Sequence, residues 1–93
     1  MEKVEILGQI VGYVVTAWDA DFSIWRVGLT HDPGEMKKYH EEKGRSTEHW
    51  MQWKTDTVTD AQHIRFYLTR SKGMEESASD DLDARKTVYV YIF

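Results

Sequence analysis

The chain has 93 residues, 41% of them apolar and 30% charged, with a net charge of −4 and no cysteine. This balance fits one globular domain over residues 1–93 rather than a disordered chain. It excludes disulfides, thiolate nucleophiles and cysteine-held zinc, and it lacks the basic excess with which nucleic-acid binders neutralise phosphates.

Residues 4–17 are rich in β-branched side chains and predict a strand over about 9–17, with Gly12 marking a bulge or a close approach. Trp18-Asp19-Ala20-Asp21 predicts a turn, and Phe22 to Thr30 a second strand, so the first two strands form a hairpin. A helix follows from Pro33 to about Lys43. Asp32 can cap it, Pro33 suits its first position, Glu35 completes a capping box, and Gly44 ends it. Met36, Tyr39 and His40 give its inner stripe. Lys37, Lys38, Lys43 and Arg45 are interleaved with Glu35, Glu41 and Glu42, which reads as a solvated face.

His49 to Thr55 predicts a third strand, on which Trp50 and Trp53 have opposite parity, so at least one faces the core. Thr59-x-x-Gln62 is a second capping signature, opening a helix from Asp60 to about Lys72 that Gly73 stops. Ala61, Ile64 and Leu68 make its stripe, widened by Tyr67. Residues 75–85 read as a mobile acidic loop. Thr87 to Phe93 is the clearest strand, with Val88, Val90 and Ile92 on one face and Tyr89, Tyr91 and Phe93 on the other. The expected architecture is α+β, in the order β-β-α-β-α-β. It has a small, largely antiparallel sheet and two helices packed on one face, and the direction of the last strand is open.

Gly12-Tyr13-Val14, then Arg26-Val27-Gly28, then Gly28-x-Thr30-x-Asp32-Pro33 and His40 at the helix end follow one another in this order. The pattern resembles the GIY-YIG nuclease-like domains over the chain up to about residue 73. In active members of that family a Tyr or an activated water attacks phosphate. An Arg on the first helix stabilises the developing charge, and a Glu on a later helix holds a divalent metal. The resemblance places Met36 at the Arg position, Arg65 at the metal-binding Glu position and Arg26 at the second-motif Tyr; only Tyr13 is kept. An Arg repels the ion it should hold, and loss of the clamping Arg removes stabilisation of phosphoryl transfer. The resemblance therefore implies the nuclease-like fold without the nuclease.

Tyr13, Arg26 and His31 are the candidate catalytic residues and the one plausible polar cluster near the hairpin, able to hold an anion such as phosphate. Tyr13, Arg26, Thr30 and Arg65 are the candidate ligand-binding residues. His31, His40, His49 and His63 lack metal-site spacing, and His40 reads as a helix-end residue where positive charge is favourable. Asp80-Asp81-Leu82-Asp83 lacks the glycine and distal Glu of a calcium loop and reads as solvated, or as a lure for a basic partner. Trp18, Trp25, Trp50 and Trp53 are core residues or a base-stacking platform. Tyr89, Tyr91 and Phe93 form a second core face or a homodimer surface. No apolar run approaches the roughly 18 residues of a membrane span, and no leader pattern opens the sequence; the expected location is cytoplasmic. The leading functional expectation is a non-catalytic binding or interaction module. The alternatives are a Mg²⁺-type metal-dependent DNA endonuclease using Tyr13, Arg26, His31 and Arg65, and a single-stranded nucleic-acid binder.

Overall fold

The computed structural model describes residues 2–17 and 21–93. Helix α1 spans Lys3–Thr16 and is followed by a 3₁₀ turn at Phe22–Ile24, strand β1 at Arg26–Thr30 and helix α2 at Pro33–Glu42. Strand β2 at Met51–Lys54, helix α3 at Val58–Arg70, and strands β3 at Glu75–Glu76 and β4 at Tyr89–Ile92 complete the fold. The fold is α+β, with sheet order β2-β4-β1-β3. β4 runs antiparallel to both β1 and β2, while the short β3 runs parallel to β1. The last strand is thus central, and both of its faces are buried, which decides between the two readings its aromatic face left open.

Among the described residues the first element is a helix, not a strand, so the expected hairpin does not form. Ile6, Ile10 and Val14 are spaced four apart and fully buried against the sheet-and-α3 core. That burial outweighs the β preference of the valines, which is a weak prior. Gly12-Tyr13-Val14 therefore lies within α1. Trp18, Asp19 and Ala20 of the expected turn lie outside the described residues. The strand expected from Phe22 starts later, because the Asp21 carboxylate accepts from the Ser23 amide at 2.9 Å and folds the chain into the 3₁₀ turn.

The two capped helices form much as their sequences predict. Asp32 accepts from the Glu35 amide at 3.1 Å, with Pro33 at the first position of α2. For α3 the cap is Thr57, accepting from the Asp60 amide at 3.0 Å, two residues before the expected Thr59. Past α2, Gly44 takes a left-handed φ of 79°. The Arg45 amide then donates to the His40 carbonyl at 3.1 Å and the Gly44 amide to that of Glu41 at 3.0 Å. This pair of bonds is a Schellman ending, and it turns Arg45 back beside His40.

The helices do not share one face of the sheet. α1 and α3 cover one face, where Val27, Leu29, Val90, Ile92 and Trp53 meet Ala61, Ile64 and Leu68. α2 covers the other, where Met36 packs with Tyr91, Phe93 and half-buried Trp50. Tyr91 and Phe93 are consequently a second core face and are covered within the chain, which removes them from any homodimer surface; Tyr89 is half-buried.

Gly28 lies on that second face, paired with Tyr91. A Cβ at Gly28 would overlap the Tyr91 hydroxyl and the Ala78 carbonyl, whereas one at Gly8 on the outer side of α1 meets nothing within 4 Å. Gly28→Ala should therefore destabilise the protein by about 1–3 kcal/mol or more through overpacking. Gly8→Ala should leave stability unchanged or raise it by up to about 1 kcal/mol through helix propensity. Urea midpoints of the two variants check this, and equal midpoints would contradict the close approach at Gly28.

Candidate functional site

Between β3 and β4 the chain runs as a strap beside β1. The amides of Glu75, Ser77 and Asp80 donate to the carbonyls of Trp25, Val27 and Leu29 at 3.0, 2.8 and 3.1 Å. The Ser79 hydroxyl accepts from the Leu29 amide at 3.0 Å. One Asp80 carboxylate oxygen accepts from the Thr30 hydroxyl at 2.6 Å and from the His31 amide at 2.9 Å. His31 then ties down the rest of the segment. Its Nε2 accepts from the Asp83 amide at 2.9 Å, which leaves the proton on Nδ1 to donate to the Thr87 carbonyl at 2.7 Å. The segment expected as a mobile loop is thus hydrogen-bonded to β1 and its exit. Within it, Arg85 holds the Asp83 carboxyl below the usual range.

The strap is also what most of the expected site residues share. Arg26 on β1 lies 3.8 Å from the Glu75 carboxylate and over the Phe93 ring. Arg65 on α3 pairs with Glu76 at 3.3 Å and donates to the Ser79 hydroxyl at 3.1 Å. Thr30 and His31 bind Asp80. Tyr13 stands apart on the α1 side, packed edge-on to Trp25 with its hydroxyl 3.4 Å from the His49 carbonyl. Tyr13, Arg26, Thr30, His31 and Arg65 therefore do not converge on one groove, and their polar atoms are engaged within the chain.

The aromatic residues are distributed likewise. Trp25 is buried, and Trp53 is buried with its indole N–H donating to the Gln9 side chain at 2.9 Å. Trp50 stacks on Tyr91 with centroids 4.6 Å apart. Trp18 lies outside the described residues.

Beneath the strap sits His40, 1% exposed, facing Tyr91 from α2. Arg45 Nη1 lies 3.1 Å from His40 Nδ1. A guanidinium only donates, so Nδ1 accepts and the proton is on Nε2. Nε2 donates to the Tyr91 hydroxyl at 3.0 Å, with the Ser77 hydroxyl 3.4 Å away, and the Tyr91 hydroxyl donates to the Ala78 carbonyl. Burial, then the nearby charges of Arg45 and Arg26, push the His40 pKa down, so it is not the charged helix-end residue its position suggests. Burial pushes the Tyr91 phenol up to about 12, keeping it a proton donor at ordinary pH.

α2 and the strap flank an open groove of about 370 Å³. Asp32, Glu35, Met36 and Tyr39 form one side, Ala78, Ser79 and Asp80 the other, and Thr30 contributes at the base. Tyr39 and Ala78 also line a smaller hollow of about 150 Å³ over His40, Arg26 and Arg45. Among the described residues Asp32, Glu35 and Asp80 have no cationic partner. They stand around the groove without converging as metal ligands, and no group of three or more His, Asp or Glu among the described residues does so.

Sequence reading missed this groove. The inner stripe of α2 pointed to His40 and Met36, but nothing local connects Glu35 with Asp80. Comparison with protein-family models, curated proteins and solved structures finds no match. No helix among the described residues is long and apolar enough to cross a membrane.

The Tyr91 hydroxyl joins β4, α2 and the strap in one chain of hydrogen bonds. Tyr91→Phe leaves the Ala78 carbonyl and His40 Nε2 without their partner and should cost about 1–3 kcal/mol. Chemical denaturation reads the loss; a variant as stable as the parent would show that these groups find other partners.

Proposed function

We propose that the chain is a non-catalytic binding module, and that the groove between α2 and the strap takes an organic cation with an apolar body, such as an alkylammonium or a lysine side chain. One observation carries this reading. The groove sets an aromatic and a thioether side chain, Tyr39 and Met36, beside three carboxylates that have no cationic partner among the described residues.

Its volume of about 370 Å³ falls in the range of small-ligand sites. The Tyr39 ring already faces Lys43 Nζ, 5.5 Å from its centroid, so the carboxylates meet the ligand's charge and the ring meets its apolar body. Each methylene of the ligand's body buried against Met36 and Tyr39 adds about 0.8 kcal/mol. Asp32 and Asp80 are already fixed by their backbone hydrogen bonds, so two of the three charges are preorganised.

An amide-resolved NMR titration with hexylammonium, and with hexanoate as the matched anion, tests the reading. Hexylammonium should shift Thr30, Glu35, Tyr39 and Ser79, and hexanoate should not. Glu35→Gln should weaken hexylammonium binding about 3–10-fold, as expected for one charge-assisted contact at a partly exposed site. Equal response to both probes, or shifts elsewhere only, would sink the proposal.

A further inference from the structure

We infer that His40 is an acid-sensitive latch: its protonation undocks α2 from the sheet and loosens the strap opposite, while the α1–α3 side of the molecule stays folded. The last part of the consequence, opening of the groove they flank, rests on the binding reading above; the latch itself does not.

The geometry makes the latch local. α2 carries only two buried side chains, Met36 and His40. One is apolar. The other lies among the rings of Phe93, Tyr91 and Trp50, with centroids at 4.4, 5.6 and 6.2 Å. The α1–α3 side, by contrast, is held by a large apolar cluster, and the histidines on that side lie at its margin, His63 exposed on α3 opposite Lys3 and half-buried His49 beside Trp25. A proton on His40 therefore acts where the apolar hold is weakest.

The proton can go to one atom only, Nδ1, because Nε2 already carries one. Nδ1 is the acceptor for Arg45 Nη1 at 3.1 Å. Protonation turns that hydrogen bond into two opposed N–H groups on two cations. The Schellman turn holds the Arg45 backbone beside His40, so the exposed guanidinium can relieve the opposition only by giving up its contact with α2.

The remaining groups that face His40 do not reverse the sign. Arg26, from β1, adds a second positive charge. Tyr91, from β4, is neutral with its pKa near 12. Tyr39, its neighbour on α2, and Ser77, from the strap, are neutral. Glu75 and Glu76 line the hollow beside His40, but Glu75 faces Arg26 and Glu76 pairs with Arg65. Their carboxylates are already shared with other cations.

The direction follows from linkage. The docked state holds His40 below its ordinary value of 6.5, so the undocked state binds the proton more readily. Docking is at full strength above pH 6.5, and it weakens as pH falls from there towards the lowered docked-state value. One proton gives at most about a tenfold change per pH unit. The strap is included because His40 Nε2, the Tyr91 hydroxyl and the Ala78 carbonyl form one hydrogen-bonded series.

Native-state hydrogen exchange on the whole chain, expressed as protection factors from pH 7.5 to 5.0, tests the inference without any ligand. The amides of α2, of Arg45, and of Ser77 and Asp80 on the strap should lose protection below pH 6.5 by up to about tenfold per unit. The amides of α3 should keep theirs. Arg45→Gln, which removes the opposing cation, should raise the His40 NMR titration midpoint towards its ordinary value and so make the total loss of protection smaller, levelling off at that higher midpoint. His40→Gln should abolish the pH dependence of the α2 amides. Parallel loss in α2 and α3, or a pH dependence of the α2 amides that survives in His40→Gln, would overturn the latch; the strap is not used for this arm because His31 also holds it. If His40→Gln does not fold, Arg45→Gln decides alone: a smaller loss of protection supports the latch, and an unchanged or larger one overturns it. Retained exchange behaviour with no hexylammonium binding would remove the groove reading and leave the latch standing.

Discussion

A phenol hydroxyl buried in the second face of the sheet is the point on which that half of the molecule depends. Tyr91 occupies the space above Gly28, where no side chain can stand, and its oxygen must be satisfied there because water cannot reach it. Ala78 supplies the acceptor and His40 the donor, so a strand, a helix and the strap are each required to be in place for one atom. The position of Gly28 in β1, the helical register that brings His40 inward, and the path of the strap over β1 are three consequences of the same requirement.

The two faces of the sheet are held by different physics. Under α1 and α3 the buried contacts are aliphatic, indole and thioether, and none of the buried side chains there carries an ionisable group. Under α2 the contacts are ring stacking and a directional polar series, which gives geometric specificity but is vulnerable at each link. A domain built this way has a graded stability, with one side able to open while the other persists. The groove sits along the softer side.

Legibility in the sequence followed the same division. The cap at Asp32, the proline after it and the glycine at position 44 are local chemistry, and they placed α2 to within a residue. The alternation in the last strand marked it as a strand apolar on both faces, but not whether its aromatic face is covered from within the chain or by a second copy. α1 was hidden because its valines and isoleucines carry a β preference. The competing signal was present in the spacing of Ile6, Ile10 and Val14, which tertiary burial makes decisive. The cap of α3 moved by two residues because Thr57 and Thr59 are both chemically fit to provide it. The strap and the groove could not be read, since they are built from His40 with Tyr91, 51 residues apart, and Thr30 with Asp80, 50 residues apart. The GIY-YIG-like spacing drew attention to Arg26, Thr30 and Arg65, and what these residues do in the fold is hold the strap.

The sheet order has one more consequence, for how the molecule comes into being. β1 and β2 do not touch; each pairs with β4, which comes after every other element in the chain. Until β4 is available, the two strands have no common neighbour and Trp25, Leu29 and Trp53 have no sheet to line. Local helices can form early, but the ladder that organises both faces is closed only by contacts of long sequence separation, which are slow to find. During synthesis β1 has only the short β3 to pair with and β2 has no partner until β4 threads between them, and it is in that interval that these apolar strands are most exposed to wrong partners.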